Sequence, residues 1–242
     1  MVNNLDITQR TFIEFGVEDF SESNCRFLMM KDLWQGFVID GSAANIARLR
    51  ESYYYWQYPL KSKAAFVTRE NIAQLLSESG FEKDIGLLSL DIDGVDYYVL
   101  EALHDWKPAI LIVEYNDVFG WRRPVSVPYD PAFVRHRKHF SNLYWGANLP
   151  AFCYLAGKRG YALVGTNSVG SNAFFVRRAL LNDAVREVEL ADCIREATFR
   201  ESRDQAGRLT FLTGSSRSRA ISNMEVVDVS TGETLKVSDL DV

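Results

Sequence analysis

The chain predicts an α/β fold: a doubly wound, mainly parallel seven-stranded sheet closed by a C-terminal antiparallel hairpin. Three observations carry that expectation. Short apolar runs alternate with helical stretches through the first two thirds of the 242 residues. The runs are hydrophobic nearly throughout, as strands are when helices cover both faces of a sheet. Two further runs, "YALVGTN" (161–167) and "NAFFVRR" (172–178), are separated only by "SVGS", the spacing of a hairpin.

Taken in order, "TFIEFG" (11–16), "GFVID" (36–40), "KAAFV" (63–67), "GLLSLDI" (86–92) and "AILIVEY" (109–115) read as five strands. Helices are expected over 21–31, 43–56, 70–79 and 95–104; Ile72, Leu75 and Leu76 give the third an apolar stripe, and Gly80 ends it. Strand–helix alternation at this spacing means βαβ crossovers and a parallel sheet. Residues 116–147 hold three prolines and two of the three histidines, too long a stretch for an ordinary connection. A helix near 148–159 precedes the hairpin. We therefore divide the chain into a main domain, 1–180, and a C-terminal part, 181–242. The latter contains a charged helix over 188–203, a mobile Ser/Arg/Gly-rich stretch over 207–222, and a small hairpin over 224–237.

Bulk composition narrows the function classes. Apolar residues make up 47% of the chain and aromatics 13%, enough for a sizeable core. The net charge of −5 and pI near 5.3 argue against nucleic-acid binding, which needs clustered basic charge. No apolar run reaches membrane-spanning length. Cys25, Cys153 and Cys193 are odd in number and far apart, which fits reduced thiols in a cytoplasmic protein and matches no zinc-ligand spacing.

Ligands of open α/β sheets bind beyond the carboxyl ends of the strands, where strand order reverses. Three stretches end strands with suitable groups. In "FIEFGVEDFSESN", Glu14 ends strand one, Gly16 permits a close turn, and Ser21 and Glu22 can open a helix. In "GFVIDGS", Asp40 ends strand two ahead of Gly41 and Ser42, 26 residues after Glu14, where nucleotide-binding sheets place an acid against ribose hydroxyls. In "LLSLDIDGVDYYVLEAL", Asp91 and Asp93 fall on one face if the chain stays extended, while Asp96 caps the next helix. The adjacent strand supplies Glu114 and Asn116. Asp91, Asp93, Glu114 and Asn116 form an oxygen-rich rim; Asp93, Glu114 and Asn116 are its candidates to hold Mg²⁺, or Asp93 can itself accept a proton from a hydroxyl. In the long segment, His136 or His139 is a candidate base, His139 being preferred, and Tyr129, Asn142 and Trp145 are suited to stacking on and hydrogen-bonding a sugar ring.

In order and spacing these stretches resemble the FkbM-like family of S-adenosylmethionine-dependent methyltransferases, over about residues 10–178. The "DIDGVDYYVLEAL" block is the most specific part, and the closing "GYALVGTNSVGSNAFFVRR" is similar to the family's last hairpin. The resemblance implies a Rossmann-like class I methyltransferase fold, S-adenosylmethionine as cofactor, and methyl transfer to a hydroxyl on a sugar or small natural product. It places Glu14, Gly16, Asp40 and Asp93 among cofactor or active-site residues, to which the rim adds Asp91. One departure is visible: where the family's first loop has further small residues, this chain has Val17, Glu18 and Phe20. Two alternatives stand beside this reading. One is a ligand-binding relative that has lost turnover. The other is a dinucleotide-dependent oxidoreductase, disfavoured because "FGVEDF" lacks GxGxxG. The similarity begins almost at the N-terminus and leaves little room for a leading substrate-binding helix, as in a chain shortened from a larger protein.

Overall fold

The computed structural model describes residues 1–198 and 201–240. Along the chain run β1 (Thr11–Phe15), α1 (Arg26–Asp32), β2 (Gln35–Asp40), α2 (Ala43–Glu51), α3 (Tyr53–Gln57) and β3 (Leu60–Ala64). Then come α4 (Ile72–Ser77), β4 (Leu87–Leu90), α5 (Asp96–Ala102), β5 (Ile110–Glu114), β6 (Val125–Ser126) and α6 (Arg135–Lys138). The remainder comprises α7 (Leu149–Lys158), β7 (Tyr161–Thr166), β8 (Asn172–Arg177), α8 (Leu190–Cys193), α9 (Ser215–Ala220), β9 (Glu225–Asp228) and β10 (Thr234–Lys236).

Seven strands make one sheet in the order β3-β2-β1-β4-β5-β8-β7. The β1–β2, β2–β3 and β1–β4 pairs are parallel, with Glu14 beside Val38 and Asp40 beside Ala64. β8 runs against β5: the Tyr115 amide bonds the Ser171 carbonyl at 2.8 Å and the Arg177 amide bonds the Ala109 carbonyl at 3.0 Å. β7 and β8 are neighbours joined by residues 167–171 alone, too short a link for a parallel crossover. The expected doubly wound sheet with its closing hairpin is what forms. Chain order reverses between β1 and β4.

The chain divides into two compact units. The first comprises Met1–Ile92, Val99–Ile112 and Val176–Arg186. Its core is built by the both-sides-buried strands, with Phe12, Ile13, Val38, Ile39 and Leu88 all excluded from water. The second comprises Asp93–Tyr98, Val113–Phe175 and Glu187–Val242. It holds a second sheet in the order β10-β9-β6, antiparallel throughout. The expected hairpin over 224–237 is β9 and β10.

Several boundaries differ from expectation. β3 begins at Leu60, three residues earlier than read, because the Gly36 amide bonds the Pro59 carbonyl at 2.9 Å and pairing starts directly after the proline. The expected helix 21–31 starts only at Arg26, so Ser21 and Glu22 do not open it; Ser23 and Asn24 bond the Glu14 carboxylate instead. The 43–56 helix breaks at Ser52, which is extended and donates its hydroxyl to the Leu49 carbonyl. Asp93 has φ +55°, so the chain turns there and Asp91 and Asp93 are not successive same-face residues of one strand.

The tail helix is shorter than expected. Of the helix expected over 188–203 only α8 forms, positions 199–200 lying outside the described residues. Residues 207–222 make hydrogen bonds and an ion pair within the second unit. Ser202, fully buried, accepts from the Leu212 amide through its hydroxyl and from the Thr210 amide through its carbonyl. Arg217, on α9, pairs with Asp117 at 2.7 Å, with side chains only 11% and 6% exposed.

Breaking a buried pair by removing one partner typically costs about 3–5 kcal/mol. We expect Arg217→Ala to destabilise the protein by an amount near the lower end, since Asp117 keeps the Ala197 amide. Denaturant unfolding measures it, and an unchanged midpoint would mean that the tail is only loosely laid down.

Candidate functional site

In the first unit the carboxyl ends of β1, β2 and β4 carry the candidate groups. Gly16 turns the chain at φ +69°, and a Cβ there would lie 1.5 Å from the Asp91 carbonyl oxygen. Only glycine permits this approach. The glycine thus serves contact between two protein segments. Glu14, just before it, is 2% exposed and accepts from the Asn24 amide at 2.7 Å and from the Ser23 hydroxyl. Burial raises its carboxyl above the ordinary value, against the opposing pull of the bonds from Ser23 and Asn24. Glu14 is therefore an internal brace for the following loop.

Asp40 ends β2 as expected. Its Oδ1 accepts from the Ser42 amide at 2.7 Å and the Asn45 side chain at 3.2 Å, and its Oδ2 accepts from the Glu18 amide at 2.8 Å. Ser42 caps α2, its hydroxyl accepting from the Asn45 amide at 3.2 Å. Gly41 is exposed, with only the Phe66 ring near its open side, at 3.8 Å. Between Gly16 and α1 the loop is filled: Val17 and Phe20 are buried, and Phe20 meets the Tyr54 ring edge-on with centroids 6.1 Å apart.

In the second unit a separate cluster surrounds Asp93. Its Oδ1 accepts from Arg135 Nη1 at 2.6 Å, the carboxylate side being 52% exposed and the arginine 17%. Arg135 Nε donates to the Asn142 carbonyl at 2.7 Å, and its guanidinium lies 4.8 Å over the Trp145 ring. Asp93 and Glu114 bring carboxylate oxygens within 4.8 Å of each other. Asp93, non-glycine at positive φ, is held in a conformation that persists only when surrounding contacts impose it.

The other sequence candidates fall as follows. Trp145 is buried with one face under Arg135, so it steadies that guanidinium and does not present that face to a sugar. Asn116 is buried, donating to the Leu143 and Trp145 carbonyls and accepting from the Val118 amide, so its amide is committed to the fold and not to an ion. Asn142 donates to Glu201 at 3.2 Å, while its Oδ1 is buried with no hydrogen-bond partner among the described residues. His139 Nδ1 accepts from the Ser141 amide at 3.3 Å and sits 2.7 Å from the Ser141 hydroxyl; burial lowers its pKa, keeping it neutral. Tyr129 packs its ring 5.2 Å from that of Tyr98. Asp96, fully buried, folds back to accept the Gly94 amide at 3.0 Å. Arg135 was not singled out from the sequence, since nothing in "VRHRKHF" marks which basic residue turns inward.

No family model matches the chain, and no curated protein matches it. Among solved structures it is similar to an O-methyltransferase family protein from Burkholderia thailandensis, with TM-score 0.45 and 11% identity over 72% of this chain and 53% of that one. A second is the CurJ carbon methyltransferase, at 0.43 and 10%, covering 73% and 50%. A third is an S-adenosylmethionine-dependent methyltransferase from Clostridium acetobutylicum ATCC 824, at 0.44 and 7%, covering 72% and 86%. The chain spans about half the length of the first two. Likenesses this distant leave the fold to rest on the chain's own strand order.

Asp40 stands beside the exposed Gly41 at the start of α2, while the loop after Gly16 is filled by Val17 and Phe20. Glu14 also generates a pH test. Because its folded pKa is raised, the folded state holds that proton more tightly, and stability falls as pH rises from 4.5 through the folded value. Glu14→Gln, which cannot ionise and keeps an acceptor for the Asn24 amide, should remove this dependence. Thermal melts between pH 4 and 8 check it; a slope that persists in Glu14→Gln would assign it to another group.

Proposed function

We propose that the protein transfers a methyl group from S-adenosylmethionine to a hydroxyl of a sugar or small natural product. The observation that carries the reading is Asp40 at the end of β2, beside Gly41 and the capped start of α2, in a sheet of order β3-β2-β1-β4-β5-β8-β7. Ligands of such sheets lie outside the carboxyl ends of the strands at the point of reversal.

Asp40 would hold the ribose hydroxyls, with Gly41 and Ser42 lining their approach. The cofactor, when bound, supplies an electrophilic methyl group. The chain's own task is to position a hydroxyl and take its proton, and Asp93 is suited to it. Its Oδ1 is fixed by Arg135, and its Oδ2 has no hydrogen-bond partner among the described residues. Arg135 acts through Asp93 as a positioning residue. With Asn116 committed, Asp93 and Glu114 remain to hold Mg²⁺ if the hydroxyl is activated by a metal. A second reading, a ligand-binding relative without turnover, is favoured by the filled first loop.

Asp40→Asn keeps one acceptor for the main-chain donors and loses the charge. Compared in a chain that also carries Glu18→Pro, where no Glu18 amide bond is there to lose, it should weaken S-adenosylmethionine binding by about 1.5–3 kcal/mol, the range for hydrogen bonds to charged groups. Calorimetry decides: equal affinity removes the ribose assignment, and binding of NAD in preference points to the oxidoreductase.

The role of Asp93 is separable from that of a metal. With a panel of polyhydroxylated acceptors and release of S-adenosylhomocysteine as readout, turnover should survive EDTA and collapse in Asp93→Asn. Loss on chelation with recovery by Mg²⁺ would move the work to the ion, and full activity of Asp93→Asn would make the cluster structural.

A further inference from the structure

Resting on the methyltransferase reading, we propose that residues 17–24 form a strap that occupies the cofactor's place and must be displaced before the nucleoside binds. The loop is tied to three strand ends of the first unit. Toward β2, the Glu18 amide bonds Asp40 Oδ2 at 2.8 Å. Toward β1, Ser23 and Asn24 bond Glu14. Toward β4, Asn24 Nδ2 bonds the Ser89 hydroxyl at 3.1 Å. Between these ties the loop inserts Val17 and Phe20, both buried. Arg26 closes it from outside, donating to the Phe20 carbonyl at 3.1 Å while its guanidinium lies 5.5 Å over the Tyr54 ring.

Two features make the strap a competitor and not an ordinary turn. The first is chemical. A ribose diol offers its two hydroxyls to both oxygens of one carboxylate. Asp40 Oδ1 already accepts from Ser42 and Asn45, and Oδ2 accepts from the strap's own amide, which leaves one acceptor position for two hydroxyls. The Glu18 N–H thus uses an acceptor position that a bidentate ribose needs. The second is conformational. Glu18 and Phe20 hold φ of 49° and 69°, values that residues with a Cβ rarely adopt without imposed contacts. Opening releases that conformation, so the closed state is opposed from within. A protein whose competent state is a minor fraction binds with affinity lowered by that fraction. Removing the strap's tie therefore tightens binding without any new contact to the ligand.

The test uses the full chain and S-adenosylhomocysteine as probe. Glu18→Pro removes the amide donor and fixes φ near −65°, which the closed strap cannot accept. Calorimetry should show binding at least tenfold tighter than wild type. Phe20→Gly, which keeps the backbone conformation and withdraws the ring, should tighten it by a smaller factor. On the unaltered protein, hydrogen exchange should show the Glu18 amide protected alone and unprotected when saturated with the probe. If wild type binds, the variants bind no tighter and the Glu18 amide keeps its protection, the strap is wrong while the methyltransferase reading stands. If neither wild type nor variants bind, both fall together.

Discussion

No side chain fits at position 16, and the carboxyl edge of the first unit is organised around that fact. The would-be Cβ lies 1.5 Å from the Asp91 carbonyl oxygen and 2.8 Å from its carbon. The turn after β1 and the residue after β4 are therefore in backbone contact. Because the chain reverses so sharply, Glu14 is sealed beneath the loop that follows, and Ser23 and Asn24 come back to satisfy it. Glu18 then reaches Asp40. A left-handed residue with a Cβ costs roughly 1–2 kcal/mol before any clash is counted, so glycine is the residue that makes this edge compact.

The second unit solves a different problem. The stretch after β5 leaves the main sheet, and its backbone groups have no long ladder to satisfy them. Two buried asparagines do so. Asn148 donates to the Gly120 and Arg123 carbonyls and accepts from the Val125 and Ala151 amides. Asn116 does the same for Leu143, Trp145 and Val118. Each unsatisfied buried polar group would cost about 1–3 kcal/mol, so these amides act as substitutes for secondary structure. Asp117 extends the pattern, taking the Ala197 amide and Arg217 from the tail.

The sheet was legible because its strands are apolar on both faces, a pattern that local sequence carries in full. Its limits were less legible: β3 starts after Pro59 because of pairing with β2, a non-local fact. Asp40 could be read as the acid ending β2, since strand end and residue type are both local. That its Oδ2 is held by Glu18 could not, because it depends on two positive φ angles between them. Trp145 read as a stacking surface because an aromatic beside polar residues suits a sugar equally well; only burial shows that it carries Arg135.

The pairing of β6 with β9 sets a timetable for synthesis. Val125 lies beside Asp228, so 103 residues must follow before its partner exists. At about 5–20 residues per second, a nascent chain would wait roughly 5–20 s with that edge uncovered. The strands β1 to β4, in contrast, are adjacent in the sheet and arrive early. Contacts of such high sequence separation are slow to form and leave apolar surface exposed meanwhile. The second unit is thus the part of this protein whose sheet is completed last.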